Sequence, residues 1–227
     1  HIEPGSWAGA DNGDPQFMKW FSRYDQPYSP DLNSWAVLTA FQNGVHTLES
    51  SAPGHPALAE AIRLLLTAET SCYWYWTGQH LWDQQVTHAA NLGLDLLKPA
   101  LDALVTAGHD RSGPTIFPPW VTPENPGGKR WGQGCLLDAP RQGVAHTFVA
   151  DVSGLKRVEL ILRTQAGERR LTMRNQGLYP SATGAKVRAH YLTADLPIGA
   201  GDVRYYIEAE DGAGNLARGS LERIWLA

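Results

Sequence analysis

Lys156-Arg157-Val158-Glu159-Leu160-Ile161-Leu162-Arg163-Thr164 places Val158, Leu160 and Leu162 at every second position, the period of a half-buried strand. Before about residue 108 the period is different. Trp35, Leu38, Phe41, Val45 and Leu48 recur at three- and four-residue steps, and so do Val86, Ala89, Ala90, Leu94, Leu97, Leu101 and Leu104. Helices followed by strands predict an α+β chain in two parts.

Working outward from that stretch, candidate strands lie at 145–151, 156–164, 169–174, 186–194, 202–210 and 218–225. Gly-rich turns such as Asp211-Gly212-Ala213-Gly214-Asn215 separate them. This spacing predicts an antiparallel β-sandwich over 132–227, of immunoglobulin-like or fibronectin-like kind. The oxygens of Asp211 and Asn215 suit a calcium ion as well as a hairpin turn, and the turn needs no further ligand. Residues 111–131, rich in Gly and Pro, read as a linker.

Residues 1–110 read as a three-helix bundle with a wrapped N-terminal loop. In the loop, Trp7, Phe17, Trp20, Phe21 and Tyr24 punctuate Gly, Pro, Asp and Asn as apolar anchors. Asp31 can cap the first helix, which Pro53-Gly54 ends. Pro56 suits the first turn of the second, which runs to about 67 with the face Leu58, Ile62, Leu65 and Leu66. The third spans 82–105, where Pro99 is expected to kink or split it.

The 227 residues carry a formal charge of -4, and their longest cationic cluster, around Arg169-Arg170, is too short to track phosphates. Nucleic acid is thereby excluded as an expected partner. No apolar stretch nears the roughly 20 residues that span a bilayer, and residues 1–7 show no targeting pattern, so no membrane partner is expected. Cys72 and Cys135 lack paired metal-ligand spacing; a bridge between them and two buried thiols both remain open. Nucleophile-elbow, phosphate-loop and dinucleotide fingerprints are absent, and no cofactor is expected.

The chemistry concentrates in Ala68-Glu69-Thr70-Ser71-Cys72-Tyr73-Trp74-Tyr75-Trp76-Thr77-Gly78, four consecutive rings between two helices. Indole and phenol faces match the C–H faces of sugars, and Glu69, Ser71, Gln79, His80 and Asp83 can bond to hydroxyls. The alternative is a core plug joining the helices. Glu69 and Asp83 read more simply as helix-end caps than as a catalytic pair. His80 and His88 are too far apart for a helical zinc pair, and a Pro-Gly break separates His46 from His55.

This run, together with His1-Ile2-Glu3-Pro4-Gly5-Ser6-Trp7, Asp14-Pro15-Gln16-Phe17-Met18-Lys19-Trp20 and Asn33-Ser34-Trp35, resembles the C-terminal part of glycoside hydrolase family 57. That family includes α-amylases, amylopullulanases, branching enzymes and 4-α-glucanotransferases. The resemblance covers about half the chain and implies a helical bundle leaning on an incomplete β/α barrel. It carries Glu69, Ser71, Tyr75 and Trp76 over as sugar-facing or supporting positions. Cys72 stands where the family pattern has an Asp, and a thiol cannot accept two hydroxyl hydrogen bonds as a carboxylate does.

The family draws its two catalytic carboxylates from barrel strands upstream, and no strand–helix repeats exist here to build a barrel. The resemblance therefore implies an accessory piece of a longer protein, not catalytic alone. Its expected partners are an α-glucan and that barrel, and its expected substrate-binding residues are Glu69, Ser71, Cys72, Trp74, Tyr75, Trp76 and His80. A second function class is a carbohydrate-binding module, with Trp120, Trp131, Tyr179, Tyr191 and Trp225 as stacking platforms. A third is a structural brace. A copper-dependent oxidase, with His1 joined by His80, His88 or His146, is the remaining alternative.

Overall fold

Helix α1 (Pro30–Ser51) directs apolar side chains two ways at once. Val37, Leu38, Phe41, Val45 and Leu48 pack with α2 (Leu58–Ala68), α3 (Cys72–Tyr75) and α4 (His80–Thr106). Leu32, Ala36 and Ala40 join a different cluster with Phe117, Trp120, Phe148 and Tyr179 from the β region. This computed structural model describes residues 30–70, 72–75, 80–123, 126–131, 136–139, 141–181, 183–196 and 201–226. The wrapped loop expected at 1–30 lies almost wholly outside them.

The helices follow the pattern of their apolar residues, but α1 begins at Pro30, so that Asp31 lies within it instead of capping it, and the aromatic run adds the short α3; two further details differ. On α2 the buried face is Leu58, Ala61, Leu64, Leu65 and Ala68, while Leu66, expected inside, is 61% exposed. At about 100° per residue, residue 66 lies more than a quarter turn from the centre of the face that Leu58, Ala61, Leu64, Leu65 and Ala68 form. Helix α4 runs unbroken through Pro99. Pro99 and Asp95 are both exposed, so the Asp95 carbonyl that loses its donor is on the solvent side and the helix continues. Close approach of α1 and α4 rests on Gly93, where a Cβ would overlap the Phe41 ring.

Twelve strands follow among the described residues: β1 (Thr115–Ile116), β2 (Trp120–Thr122), β3 (Lys129–Trp131), β4 (Leu136–Asp138), β5 (Gly143–Ala150), β6 (Leu155–Thr164), β7 (Gly167–Thr172), β8 (Arg174–Leu178), β9 (His190–Leu196), β10 (Gly201–Asp211), β11 (Leu216–Arg218) and β12 (Glu222–Leu226). The first sheet has the order β1-β5-β9-β8, with β2 also paired to β5. The second has the order β11-β10-β6-β7, with β12 also on β10, and β3 and β4 form a ribbon. Among the described residues all pairings are antiparallel, and neither five-stranded sheet closes into a barrel.

The segment 111–131, expected as a linker, supplies β1 and β2 to the first sheet. The strand expected at 186–194 begins only at His190. Before it, the backbone donors go to helices: Lys186 N–H to Asn91 Oδ1 at 2.8 Å and Ala189 N–H to the Ala36 carbonyl at 2.9 Å. The strand expected at 218–225 is two strands, β11 and β12, both on β10.

Val121, Ala145, Val149, Leu192, Ala194 and Leu196 of the first sheet share one core with Val158, Leu160, Leu162, Val203, Tyr205 and Ile207 of the second. The order of layers is therefore helices, first sheet, second sheet. At its centre, along β5 and much of β9, the first sheet is covered on both faces, with α1 as the wall on the outer one, while its edge strand β8 is exposed.

Candidate functional site

Helix α2 ends at Ala68, leaving terminal carbonyls without helical donors. One turn later, α3 turns the Trp74 indole back so that Nε1 donates to the Ala68 carbonyl at 2.9 Å. The same ring stacks on Trp35 of α1, with centroids 4.0 Å apart and planes at 28°, and Trp35 in turn meets Phe117 at 5.1 Å. Trp74 is 3% exposed. It was expected to offer a face to sugar; in this structure it closes the helical core, because both its polar edge and its ring are already partnered.

Glu69 is exposed at the mouth of this turn and accepts a hydrogen bond from Gln42 Nε2 at 2.8 Å. Ser71 and Trp76 lie outside the described residues, as do the side chains of Cys72, Tyr75, His80 and Asp83. The sugar-facing group, the Glu69–Asp83 pair and the Cys72–Cys135 bridge can therefore be followed only through Glu69 and Trp74. His88 and His46 are exposed, and His55 Nδ1 accepts from the Ala57 amide at 3.2 Å, in the first turn of α2.

Of the aromatic platforms expected on the β region, those described act as walls. Trp120 and Tyr179 are buried against α1, Tyr191 is half-buried, and the side chains of Trp131 and Trp225 lie outside those described. His146 stacks between Trp120 and Tyr191, at 5.3 and 5.8 Å. Its Nε2 is 2.5 Å from Thr122 Oγ1 and its Nδ1 is 2.7 Å from Tyr191 Oη. Burial pushes the imidazole down to about 4, and burial pushes the Tyr191 phenol up to about 12. At neutral pH this histidine is an uncharged hydrogen-bonding core group with both nitrogens engaged, so it cannot complete a copper site in this geometry; His1 lies outside the described residues.

A second group was missed by sequence reading. Asp110, which follows α4, Asp151 at the end of β5 and Asp211 at the end of β10 bring carboxylate oxygens within 4.8 Å of one another. Each oxygen already accepts from the protein. Asp110 takes Ser112 N–H and Oγ at 3.0 Å and Ser153 Oγ at 2.5 Å. Asp151 takes Ser153 N–H at 2.8 Å and Asn43 Nδ2 at 3.3 Å. Asp211 takes Asn215 N–H at 2.7 Å and Nδ2 at 2.8 Å.

Two unit charges at that range repel by about 3 kcal/mol at an effective dielectric constant near 20. Burial first, and then Asp110 and Asp211, push the Asp151 carboxyl up to about 7, against the pull of its hydrogen bonds to Ser153 and Asn43. The repeated Asp-x-Ser in Asp110-Arg111-Ser112 and Asp151-Val152-Ser153 was the available signal, since each Asp binds the amide two residues on. Nothing local reveals that two such turns meet. At Asp211 the hairpin-turn reading holds, with Gly214 N–H on the Asp211 carbonyl at 3.3 Å.

No protein-family model and no curated protein matches the chain. Among solved structures it is similar to the type III pullulan hydrolase from Thermococcus kodakarensis, with a TM-score of 0.29 and 12% identity. That match covers 47% of this chain and 16% of that protein, too slight an overlap to bear on fold or activity.

Proposed function

We propose that the chain is an accessory part of an α-glucan-acting glycoside hydrolase of family 57 type, its helical layer lining a saccharide groove and its two sheets forming an immunoglobulin-like or fibronectin-like sandwich. Its partners in this reading are the glucan and a catalytic barrel elsewhere. One observation carries the reading: Trp35, from Asn33-Ser34-Trp35, stacks on Trp74, from the aromatic run. Two of the segments on which the resemblance rests thus form one spatial unit, with Glu69 at its exposed edge.

Trp74 supports the turn from behind, while Glu69, Ser71, Cys72, Tyr75, Trp76 and His80 are the positions proposed to meet sugar. Retardation of the chain in native gels cast with soluble α-glucan, reduced in a Trp76→Ala variant of unchanged melting temperature, is the expected result. Migration indifferent to glucan leaves only the bracing role. Incubation with starch, pullulan and maltooligosaccharides should release no sugar, and turnover by the chain alone overturns the non-catalytic reading.

A further inference from the structure

The outer face of the second sheet changes character along its strands. Around Glu208 and Glu210 of β10, the arginines Arg157, Arg170 and Arg218 are each ion-paired with Glu159, Glu208 or Glu210. Nearer the start of β10 that matching ends. Arg204 stands directly opposite Arg163 of β6 on one side and directly opposite Arg223 of β12 on the other. Leu162, Val203 and Tyr205 belong to the core between the sheets, so by alternation Arg163 and Arg204 stand on the outer face.

Like charges set directly opposite one another in a sheet repel, and the fold does little here to relieve them. Arg204 is exposed, and among the described residues it forms no ion pair. Arg163 has one acid, Glu168 of β7, whose carboxylate lies 3.3 Å from Nε. Both of those side chains are well exposed, at 53% and 38%, so the pair holds Arg163 only weakly. The Tyr206 ring, 5.2 Å below, keeps the Arg163 guanidinium over the face. Asp202, the next outward position of β10, is in register with Trp225, and its side chain lies outside those described. The whole chain carries a formal charge of -4, so this cationic row is a local feature and does not follow from overall charge.

The spacing of the row discriminates between occupants. Neighbouring strands lie about 4.8 Å apart, which puts about 10 Å between β6 and β12 across β10. On a helix, side chains at i and i+4 are about 5–6 Å apart, and i to i+7 spans about 10.5 Å. An extended chain places its same-face side chains about 6.6 Å apart and falls out of step. Guanidinium forks bond carboxylates through two parallel hydrogen bonds, which an amine cannot do.

We propose that the row beginning with Arg163 and Arg204, and continued at the register position of Arg223, is a docking rail for an acidic helix of a partner protein. The helix lies across the strands, with carboxylates at i, i+4 and i+7. Charge complementarity fixes its chemistry, because exposed arginine is here left without an acid of its own. Glu168 competes with the incoming carboxylate for Arg163 and so tempers the affinity.

The test uses the whole chain and two fluorescein-labelled, alanine-rich helical peptides of one composition. The first carries Glu at i, i+4 and i+7; the second scatters the same acids around the helix. Fluorescence anisotropy at low salt should show the first binding and the second binding about tenfold more weakly or not at all. Arg204→Gln should weaken the first peptide about tenfold, and Glu168→Gln should tighten it. Arg174→Gln, on exposed β8 of the other sheet, should change nothing. Should Arg204→Gln lose its fold, Arg163→Gln gives the same readout from the neighbouring strand. Equal affinity for both peptides, affinity untouched by these two exchanges, or no binding overturns the proposal. So does Arg204-dependent binding to phosphatidylserine vesicles without peptide binding, which would make the row a membrane contact.

Discussion

The two sheets share one core but cover their outer faces by opposite means. The first is roofed by α1 and by Phe117, Trp120, Phe148 and Tyr179, with neutral His146 held among the rings. The second faces water with Arg157, Arg170 and Arg218 set against Glu159, Glu208 and Glu210. Arg163 lies 5.2 Å above the Tyr206 ring, and Ile161 is fully buried beneath this canopy. Burial of rings gives the first face strength that depends on volume. A lattice of ion pairs gives the second a solvated face that resists edge-to-face association at little cost in stability.

The contrast can be tested in order of size. Phe148→Ala removes a fully buried ring at the centre of the roof and should destabilise by about 3–5 kcal/mol in denaturant unfolding; a loss near 1 kcal/mol would mean the roof is loosely packed. His146→Gln should abolish an acid-side loss. Because the imidazole is held neutral down to about 4, the native chain should weaken relative to that variant by about 2–3 kcal/mol as pH falls from 6.5, and parallel profiles would contradict its burial.

Ala36→Leu pushes added volume between α1 and the first sheet, at a position with no exposed surface, and a cost of about 1–3 kcal/mol should appear as a lower melting temperature. Glu208→Gln tests the other face. Arg170 at 2.9 Å and Arg218 at 3.0 Å hold that carboxyl below the usual range, but both arginines are well exposed. The loss should stay under about 1 kcal/mol and shrink with added salt. A loss as large as that of Phe148→Ala would erase the distinction between the faces.

The same contrast explains what could be read in advance. The second sheet alternates as a one-sided sheet should, and Val158, Leu160 and Leu162 point inward as their spacing implied. The first sheet is covered on both faces along β5, so the period there is blurred, and the short β1, β2 and β8 carry too few residues to show one. Helix α1 was legible from its apolar steps, but its second commitment, through Leu32, Ala36 and Ala40, was not, because alanine marks no face by itself. In the candidate site, the aromatic run was visible as a concentration of rings, yet only tertiary packing decides that Trp74 meets Trp35. The acid cluster joins residues 110, 151 and 211, and no local rule links them.

The shared wall made by α1 has a consequence for how the polypeptide could be divided. Excising the β half at any point after α1 would strip Phe148, Trp120 and Tyr179 of their cover and leave a sticky sheet prone to clumping. Removing the strands would in turn leave Asn43 and Thr47 stranded on a helix that no longer had its partners. Genetic exchange that swaps one half for an unrelated module is therefore disfavoured, and the two halves should travel together through recombination as a single inherited block.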